Sequence, residues 1–263
     1  MPPLPPTCLP GRGVLSLVGP DAVSLLQGLV TANVANLAEG DAAHAALLTP
    51  QGKVLSAFFA WRTPDGMLLD TAPGDAPALA KRLALYKLRA KVEIADVTSE
   101  LAAHVGDEGP EGARADPRLA AMGARWLAPP ASGDDAAYHA RRVALGVPEF
   151  GADYGPGEAF PMDVNLDALG AVDYKKGCFV GQEVASRMYR RGEVRKRSWT
   201  VRAAAPLTVG ASVTAGASTL GTITSADGTA GIALVRVDRV AAAPEPQQAD
   251  GVPVALAPPD YLS

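Results

Sequence analysis

A cysteine flanked by glycines and lysines is the clearest candidate for chemistry in this chain of 263 residues. Cys178 lies in the stretch DYKKGCFVGQEVASRM, residues 173–188, directly after Lys175, Lys176 and a glycine. The neighbouring glycines allow a sharp turn, and the nearby positive charges favour the reactive thiolate form. The pattern predicts an exposed thiol that attacks or ligates a partner. A small buried cysteine that serves packing alone is the alternative.

A helix beginning near Gly181 would add to this site. Its N-terminal dipole would favour negative charge at Cys178, and Gln182 and Glu183 would lie in its first turn. The residues alone leave activation of the thiol and metal ligation as alternatives.

The second cysteine, Cys8, lies far away in sequence, which excludes a disulfide framework and a CxxC metal site. The start, MPPLPPTCLP, lacks the basic and apolar regions of a signal peptide. The longest strongly apolar stretch, residues 54–61, is too short to span a bilayer. We therefore expect a cytoplasmic protein with reduced thiols and no membrane partner.

A basic segment surrounds and follows the cysteine. Residues 173–197 contain eight Lys or Arg against three Asp or Glu, a net charge of +5, whereas the whole chain carries −4. The remaining residues therefore carry −9. A solvated linker is one interpretation, and a groove for an anionic ligand tail or an acidic partner is the other. RNA binding stays open, whereas direct DNA binding is not expected of a chain that is acidic overall.

Several common catalytic motifs are missing from the sequence. It has no GxxxxGK[ST] phosphate loop, no GxGxxG after a strand and no HExxH helix. The three histidines, at positions 44, 104 and 139, show no ligand spacing. A zinc enzyme or a nucleotide enzyme is therefore not predicted.

The elements that must position these residues form two units. Strands are predicted at 14–18, 43–48, 53–62, 67–71, 91–97 and 124–127, and helices at 21–29, 76–88 and 134–145. Asp21 is the expected N-cap of the first helix, and residues 106–117 are expected to form a polar loop. After Arg197, short Thr/Val-rich segments predict a small β-barrel. The fold class is α+β, with domains at 1–195 and 196–263.

The segment KKGCFVGQEVASRMYRRGEVRKR closely resembles the signature of the YgfZ family of folate-binding, iron–sulfur-related proteins. These proteins are relatives of the glycine-cleavage T-protein (GcvT), an aminomethyltransferase. Other segments extend the resemblance, in the expected order, over most of the chain: LSLVGPDAVSLLQGLVTANV, LLTPQGKVLSAFFAW, LYKLRAKVEIADV, FPMDVNLDALGAVDYKKGC and GTITSADGTAGIALVR. The resemblance implies a GcvT/YgfZ-like ring of three subdomains with a small C-terminal barrel and folate in a central channel.

The implied cofactor is tetrahydrofolate or a one-carbon derivative, with its glutamyl tail near the basic segment. By motif position, Tyr138 would stack on a pterin, and Arg12 would pair with a carboxylate or stack through its guanidinium plane. A core role for Tyr138 is the alternative. The predicted folate contacts are Arg12, Tyr138, Arg142, Lys176, Gln182 and Glu183.

The resemblance implies an accessory protein for iron–sulfur cluster assembly or repair in which Cys178 is the functional residue. Such clusters generally need four ligands, so one thiol implies a transient role with iron–sulfur clients or assembly proteins as partners. One alternative is a folate-dependent aminomethyl or one-carbon transferase that uses Asp70 or Asp75, and enzymatic turnover stays open. The other is a binding protein for modified tRNA or for tRNA-modifying enzymes.

Overall fold

The computed structural model describes residues 3–192, 194–243 and 246–262. Its helices are α1 (Ala22–Leu29), α2 (Ala76–Lys87), α3 (Ala136–Leu145), α4 (Gln182–Arg191) and α5 (Val237–Ala242). Its strands are β1 (Thr7–Cys8), β2 (Gly13–Val18), β3 (Ala42–Leu48), β4 (Val54–Thr63), β5 (Gly66–Thr71), β6 (Glu93–Asp96), β7 (Ala102–Gly106), β8 (Arg114–Ala115), β9 (Ala124–Ala128), β10 (Lys196–Ala203), β11 (Ser212–Ala215), β12 (Ser218–Asp227), β13 (Ala230–Arg236), β14 (Gln247–Ala249) and β15 (Val252–Ala257).

The first sheet is antiparallel, with the strand order β3-β4-β5-β2-β6, and both of its faces are buried. Successive side chains of a strand point to opposite faces, so β3 contributes to two cores. Ala45 and Leu47 pack with α1 and α2, whereas Ala46 and Leu48 pack with the irregular segment 150–172. This two-sided burial explains why β3 and β4 are apolar along most of their length.

The second sheet has the order β1-β7-β9-β8. Strand β7 is buried throughout, so its sequence AAHVG lacks the alternation by which strands are recognised, and it was not predicted. The predicted polar loop at 106–117 contains the two-residue strand β8. Helix α3 packs on β12 and β13 and shares an apolar cluster with Val105 of β7, so it connects the second sheet with the C-terminal unit.

The C-terminal strands form a closed barrel with the order β10-β13-β12-β11-β14-β15. The closure buries an apolar interior that includes Val201, Val213, Ile223 and Val235. Closing the sheet also removes its free edges. The mixture of helices and antiparallel sheets with this barrel confirms the α+β class, although β14, β15 and α5 were not predicted.

The residue before α1 makes a contact with a distant part of the chain. Asp21 precedes α1, but its side chain does not cap the helix, because its carboxylate accepts the Lys91 backbone N–H at 2.8 Å. The interaction ties α1 to the chain that leads into β6.

None of the helices in the described ranges is long and apolar enough to cross a membrane.

Candidate functional site

A network of buried ion pairs joins the two sheets. Asp70, on β5, is fully buried. Its Oδ1 accepts Arg12 Nε at 2.6 Å, and its Oδ2 accepts Arg125 Nε, on β9, at 2.7 Å. The Arg125 guanidinium also lies 3.9 Å from the centroid of the Phe59 ring. Asp70 therefore neutralises two buried cations and is already engaged by protein groups.

Glu149 extends the network toward solvent. Its Oε1 accepts Arg12 Nη1 at 2.6 Å and the Tyr138 hydroxyl at 3.1 Å, and that hydroxyl accepts Arg118 Nη2 at 2.8 Å. Burial alone would raise the pKa of Glu149, but the charges of Arg12, Arg118 and Arg142 outweigh it and lower the pKa to about 2. Glu149 is therefore a fixed carboxylate at neutral pH.

The same network reaches the barrel through Arg142, on α3. Arg142 Nη1 donates to Asp153 Oδ2 at 2.5 Å, and Nη2 donates to Ser225 Oγ, on β12, at 2.8 Å. Thr224 Oγ1 donates to the other oxygen of Asp153 at 2.6 Å. These bonds hold α3, the segment after it and the barrel in one arrangement.

A cleft of about 130 Å³ opens beside this network. Its wall includes Arg12, Tyr138, Arg142, Glu149 and Phe150. The structure thus brings together three of the predicted folate contacts, Arg12, Tyr138 and Arg142. All three are nearly buried, so each presents only part of its surface to the cleft.

A buried histidine lies close to the same arginines. His44, on β3, stacks on Phe59 with 5.1 Å between ring centroids. Burial, together with the charge of Arg118, lowers the pKa of His44 to about 3. The imidazole is therefore neutral at physiological pH, and its Nδ1 has no hydrogen-bond partner among the described residues.

The cysteine loop, residues 173–181, is anchored on the C-terminal end of α1. Lys176 Nζ donates to three carbonyl oxygens, those of Gln27 at 2.6 Å, Val30 at 2.6 Å and Ala32 at 2.8 Å. An ammonium group has three N–H donors, so none is left for the thiol of Cys178. Burial lowers the pKa of Lys176 to about 8, which leaves it mostly charged at neutral pH. Its role in this structure is to fasten the loop.

The loop exposes Cys178 and buries the next residue, Phe179. Gly181 then starts α4 with a left-handed φ of 78°. A Cβ atom there would lie 2.4 Å from the carbonyl oxygen of Thr49, so only glycine allows this close approach. The thiol is therefore presented on a turn that is fixed on both sides.

The other predicted contacts lie outside the cleft wall. Gln182 Nε2 donates to the carbonyl of Gly177 at 2.8 Å, and the exposed Glu183 pairs with Arg187 at 2.6 Å. With Lys176, these residues form a group around the cysteine rather than around the cleft. The described residues contain no group of three or more His, Cys, Asp or Glu side chains placed to hold a metal ion.

Sequence reasoning missed much of the network, namely Arg118, Arg125, Glu149, Asp153 and Asp116, whose Oδ2 accepts Arg118 Nη2 at 2.7 Å. One signal was present in the sequence. A charged residue within a mostly apolar strand, such as Arg125 in ARWLA, is rarely buried unless it is paired.

Comparisons with known proteins identify the fold and the family. Residues 195–263 match the model of the CAF17 C-terminal beta-barrel domain. The structure is similar to the crystal structure of the glycine cleavage system aminomethyltransferase T from Bartonella henselae, with a TM-score of 0.77. That alignment covers 98% of this chain and 86% of the other at 15% identity, so it shows a shared GcvT-like fold.

Curated relatives are named iron-sulfur cluster assembly factor IBA57, mitochondrial. The human protein is 34% identical over 292 residues, covering 95% of this chain and 82% of its own length. The mouse protein is 31% identical, covering 89% and 78%. The Neurospora crassa homolog is 31% identical over 73% of this chain. The chain spans about half the length of this and the next two fungal relatives, 52% to 55%.

These relatives refine one expectation from the sequence and correct another. They are named IBA57 rather than YgfZ, although the GcvT-like fold and the CAF17-type barrel are those that the resemblance implied. The prediction of a cytoplasmic location is wrong, because the relatives are named mitochondrial. Composition and thiol content do not encode a subcellular location, so they could not distinguish one reducing compartment from another. On the human match and the shared fold, the chain belongs to the IBA57 family.

Proposed function

We propose that this protein assists the assembly of iron–sulfur clusters, with Cys178 as a transient ligand for a cluster that partner proteins carry. The observation that supports this most directly is an exposed thiol on a fastened loop. It occurs in a chain whose relatives are named iron-sulfur cluster assembly factors. A fixed, accessible thiol can meet a partner without reordering the backbone.

The ligand count makes this role transient. Iron–sulfur clusters are usually held by four cysteine thiolates, and Cys178 offers one. The other cysteine, Cys8, is buried in β1. The remaining ligands would therefore come from the partner or from a small thiol, and the cluster would leave with its client.

We also propose that tetrahydrofolate or a one-carbon derivative binds in the cleft. The residues present fit a pterin ring: Glu149 is an ionised carboxylate whose Oε1 is engaged by Arg12 and Tyr138 and whose Oε2 would accept a pterin N–H, and Tyr138 and Phe150 offer aromatic surface. Clefts that enclose a drug-sized ligand measure roughly 300–1,000 Å³. The present cleft, about 130 Å³, would hold the pterin end while the glutamyl tail stays outside. When bound, a reduced folate supplies a carrier for one-carbon units.

The alternative of a one-carbon transferase has less support. Asp70 is held by two arginines, so its carboxylate is not free to receive a proton from a substrate, and Asp75, which accepts the Ser56 hydroxyl, is not part of the cleft wall. Binding of modified tRNA or of tRNA-modifying enzymes rests on the basic segment alone and stays a prediction.

The test of the assembly role replaces each cysteine in cells depleted of their own relative. Cys178→Ala should abolish the activity of iron–sulfur enzymes, whereas Cys8→Ala should support it. Cys178→Ala should accumulate to the level of the parent protein, because the Cys178 side chain is exposed, and the protein level is measured for both variants. Full support by Cys178→Ala would overturn the role of the thiol.

The test of the cleft is calorimetric titration with tetrahydrofolate. Glu149→Gln should weaken binding by roughly tenfold or more, since the loss of a charged hydrogen-bond partner is worth about 1.5–3 kcal/mol. Gln182→Ala and Glu183→Gln, near the cysteine, should bind like the parent protein. The reverse pattern would move the folate site to the cysteine motif.

A further inference from the structure

Helix α4 carries a basic surface that the protein's own residues leave mostly uncovered. Ala185 is its buried residue, whereas Arg187, Arg190 and Arg191 are exposed. Arg187 pairs with Glu183 on the same helix. Arg190 and Arg191 make no ion pair or hydrogen bond within the ranges that the structure describes.

A second opening lies at the C-terminal end of α4, and we call it the basic cleft. It measures about 330 Å³, and its wall includes Lys53, Phe160, Met188, Arg191, Arg195 and Lys196. Lys53 donates to the carbonyl of Glu158 at 2.9 Å, but Arg191, Arg195 and Lys196 have no protein partner among the described residues. Three cations therefore line one cleft, and none of them forms an ion pair with a residue that the structure describes.

The two carboxylates at this cleft, Glu158 and Asp163, already serve their own loop. Glu158 accepts the backbone N–H of Gly155 at 2.7 Å, and Asp163 accepts that of Phe160 at 3.0 Å. The cleft wall carries four Lys or Arg side chains against these two carboxylates. The basic cleft therefore keeps a positive excess.

The residue types on this surface are those that protein interfaces favour. Tyr189 is 53% exposed, and its ring stacks on Tyr174 with centroids 4.0 Å apart. Tyr, Phe, Met and Arg are enriched at protein–protein interfaces, and Tyr and Arg are common among the residues that dominate affinity. A stacked, preordered tyrosine loses little conformational freedom on binding.

We infer that an acidic segment of a partner protein docks along α4, with its carboxylates in the basic cleft and its cluster-binding end at Cys178. Charge complementarity selects an acidic partner, since the segment around α4 carries +5 in a chain of −4. The ten residues of α4, at a rise of about 1.5 Å each, separate the two ends by ~15 Å. That the partner carries an iron–sulfur cluster rests on the proposed function, whereas the docking of an acidic segment on α4 does not.

Nucleic acid fits this surface less well. Single-stranded nucleic acid needs aromatic faces on which successive bases stack, and one face of Tyr189 is covered by Tyr174. RNA binding is therefore one of the outcomes that the test separates.

The test measures how fast acidic peptides react with Cys178 in the full-length Cys8→Ala protein. Each peptide carries thionitrobenzoate on an N-terminal cysteine, followed by a Gly/Ser spacer and four glutamates. Attack of the Cys178 thiolate on the cysteine sulfur of the peptide forms a mixed disulfide and releases the thionitrobenzoate anion, whose absorbance reports the rate. An extended spacer of about five residues spans the ~15 Å length of α4.

The five-residue spacer should give the fastest reaction, faster than no spacer and faster than a matched peptide with glutamines. Arg191→Glu combined with Lys196→Glu should slow it by roughly tenfold, because two exposed attractions become repulsions. Arg89→Glu, an exposed arginine away from α4, is the matched control and should leave the rate unchanged. Equal thermal midpoints would show that the charge reversals preserve the fold.

Three results would overturn the inference. Equal rates for all spacers would indicate general electrostatic attraction without docking. Equal rates for the glutamate peptide and the glutamine peptide would show that charge does not drive the docking. A short RNA that blocks the reaction at lower concentration than hexaglutamate would assign the surface to nucleic acid. Because the assay contains no iron, sulfide or folate, its outcome is separate from that of the cellular test.

Discussion

Replacing Asp70 by Asn should destabilise the protein strongly, and the structure sets the size of the effect. Asp70 is fully buried between Arg12 and Arg125. Arg12 would keep Glu149 at 2.6 Å, so the substitution leaves mainly Arg125 without its ion-pair partner. Breaking a buried ion pair usually costs about 3–5 kcal/mol in the free energy of unfolding. Because only one cation loses its partner here, we expect the lower end of this range, about 3 kcal/mol. That is a large part of the ~5–15 kcal/mol by which domains are stable.

The assay is urea unfolding followed by circular dichroism. Asp238→Asn, which breaks the exposed pair with Arg236, is the matched control and should change the free energy of unfolding within experimental error. The double variant Asp70→Asn/Arg125→Met removes the stranded charge and should recover much of the loss. A loss under ~1 kcal/mol for the single variant, or a double variant less stable than the single one, would refute the reasoning.

Two further predictions follow from the contacts described. Lys176→Met removes three bonds to carbonyl oxygens, so backbone hydrogen exchange in the cysteine loop should accelerate by roughly tenfold or more, whereas Lys175→Met, at an exposed lysine, should not change it. Because burial lowers the pKa of His44 from 6.5 to about 3, the unfolded chain binds a proton that the folded protein excludes in that range. The free energy of unfolding should therefore fall as the pH drops below about 6.5, and His44→Phe should flatten this part of the urea-unfolding profile. An unchanged profile would mean that the imidazole takes up its proton in the folded state.

The fold was accessible from the sequence where local patterns were strong. Strands β2 to β5 and helices α1 to α3 were predicted within a few residues, because their apolar periodicities are clear and their turns carry Gly, Pro or Asp. Strands β7 and β8 were missed, since one is buried without alternation and the other has two residues. Such strands are stabilised by pairing with strands that are distant in sequence, so the local sequence does not reveal them.

Several residues of the candidate site could be predicted from the sequence, but the contacts that join them could not. Helical spacing placed Tyr138 and Arg142 together, and the glycines around Cys178 predicted its exposure. The partners Asp70 and Arg125 are 55 residues apart, and no local rule links them. The sequence also suggested that Lys176 acts on the thiol, whereas the fold supplied three carbonyl oxygens that engage it first.

The core shared by the cleft and the cysteine loop has a mechanical consequence. Phe150 forms part of the cleft wall, Phe179 follows the thiol, and both belong to one apolar cluster with Leu48 and Val54. Close-packed interiors transmit strain, so neither ring can move far without its neighbours moving too. A displacement of either ring therefore requires a rearrangement of the core that the cleft wall and the cysteine loop share.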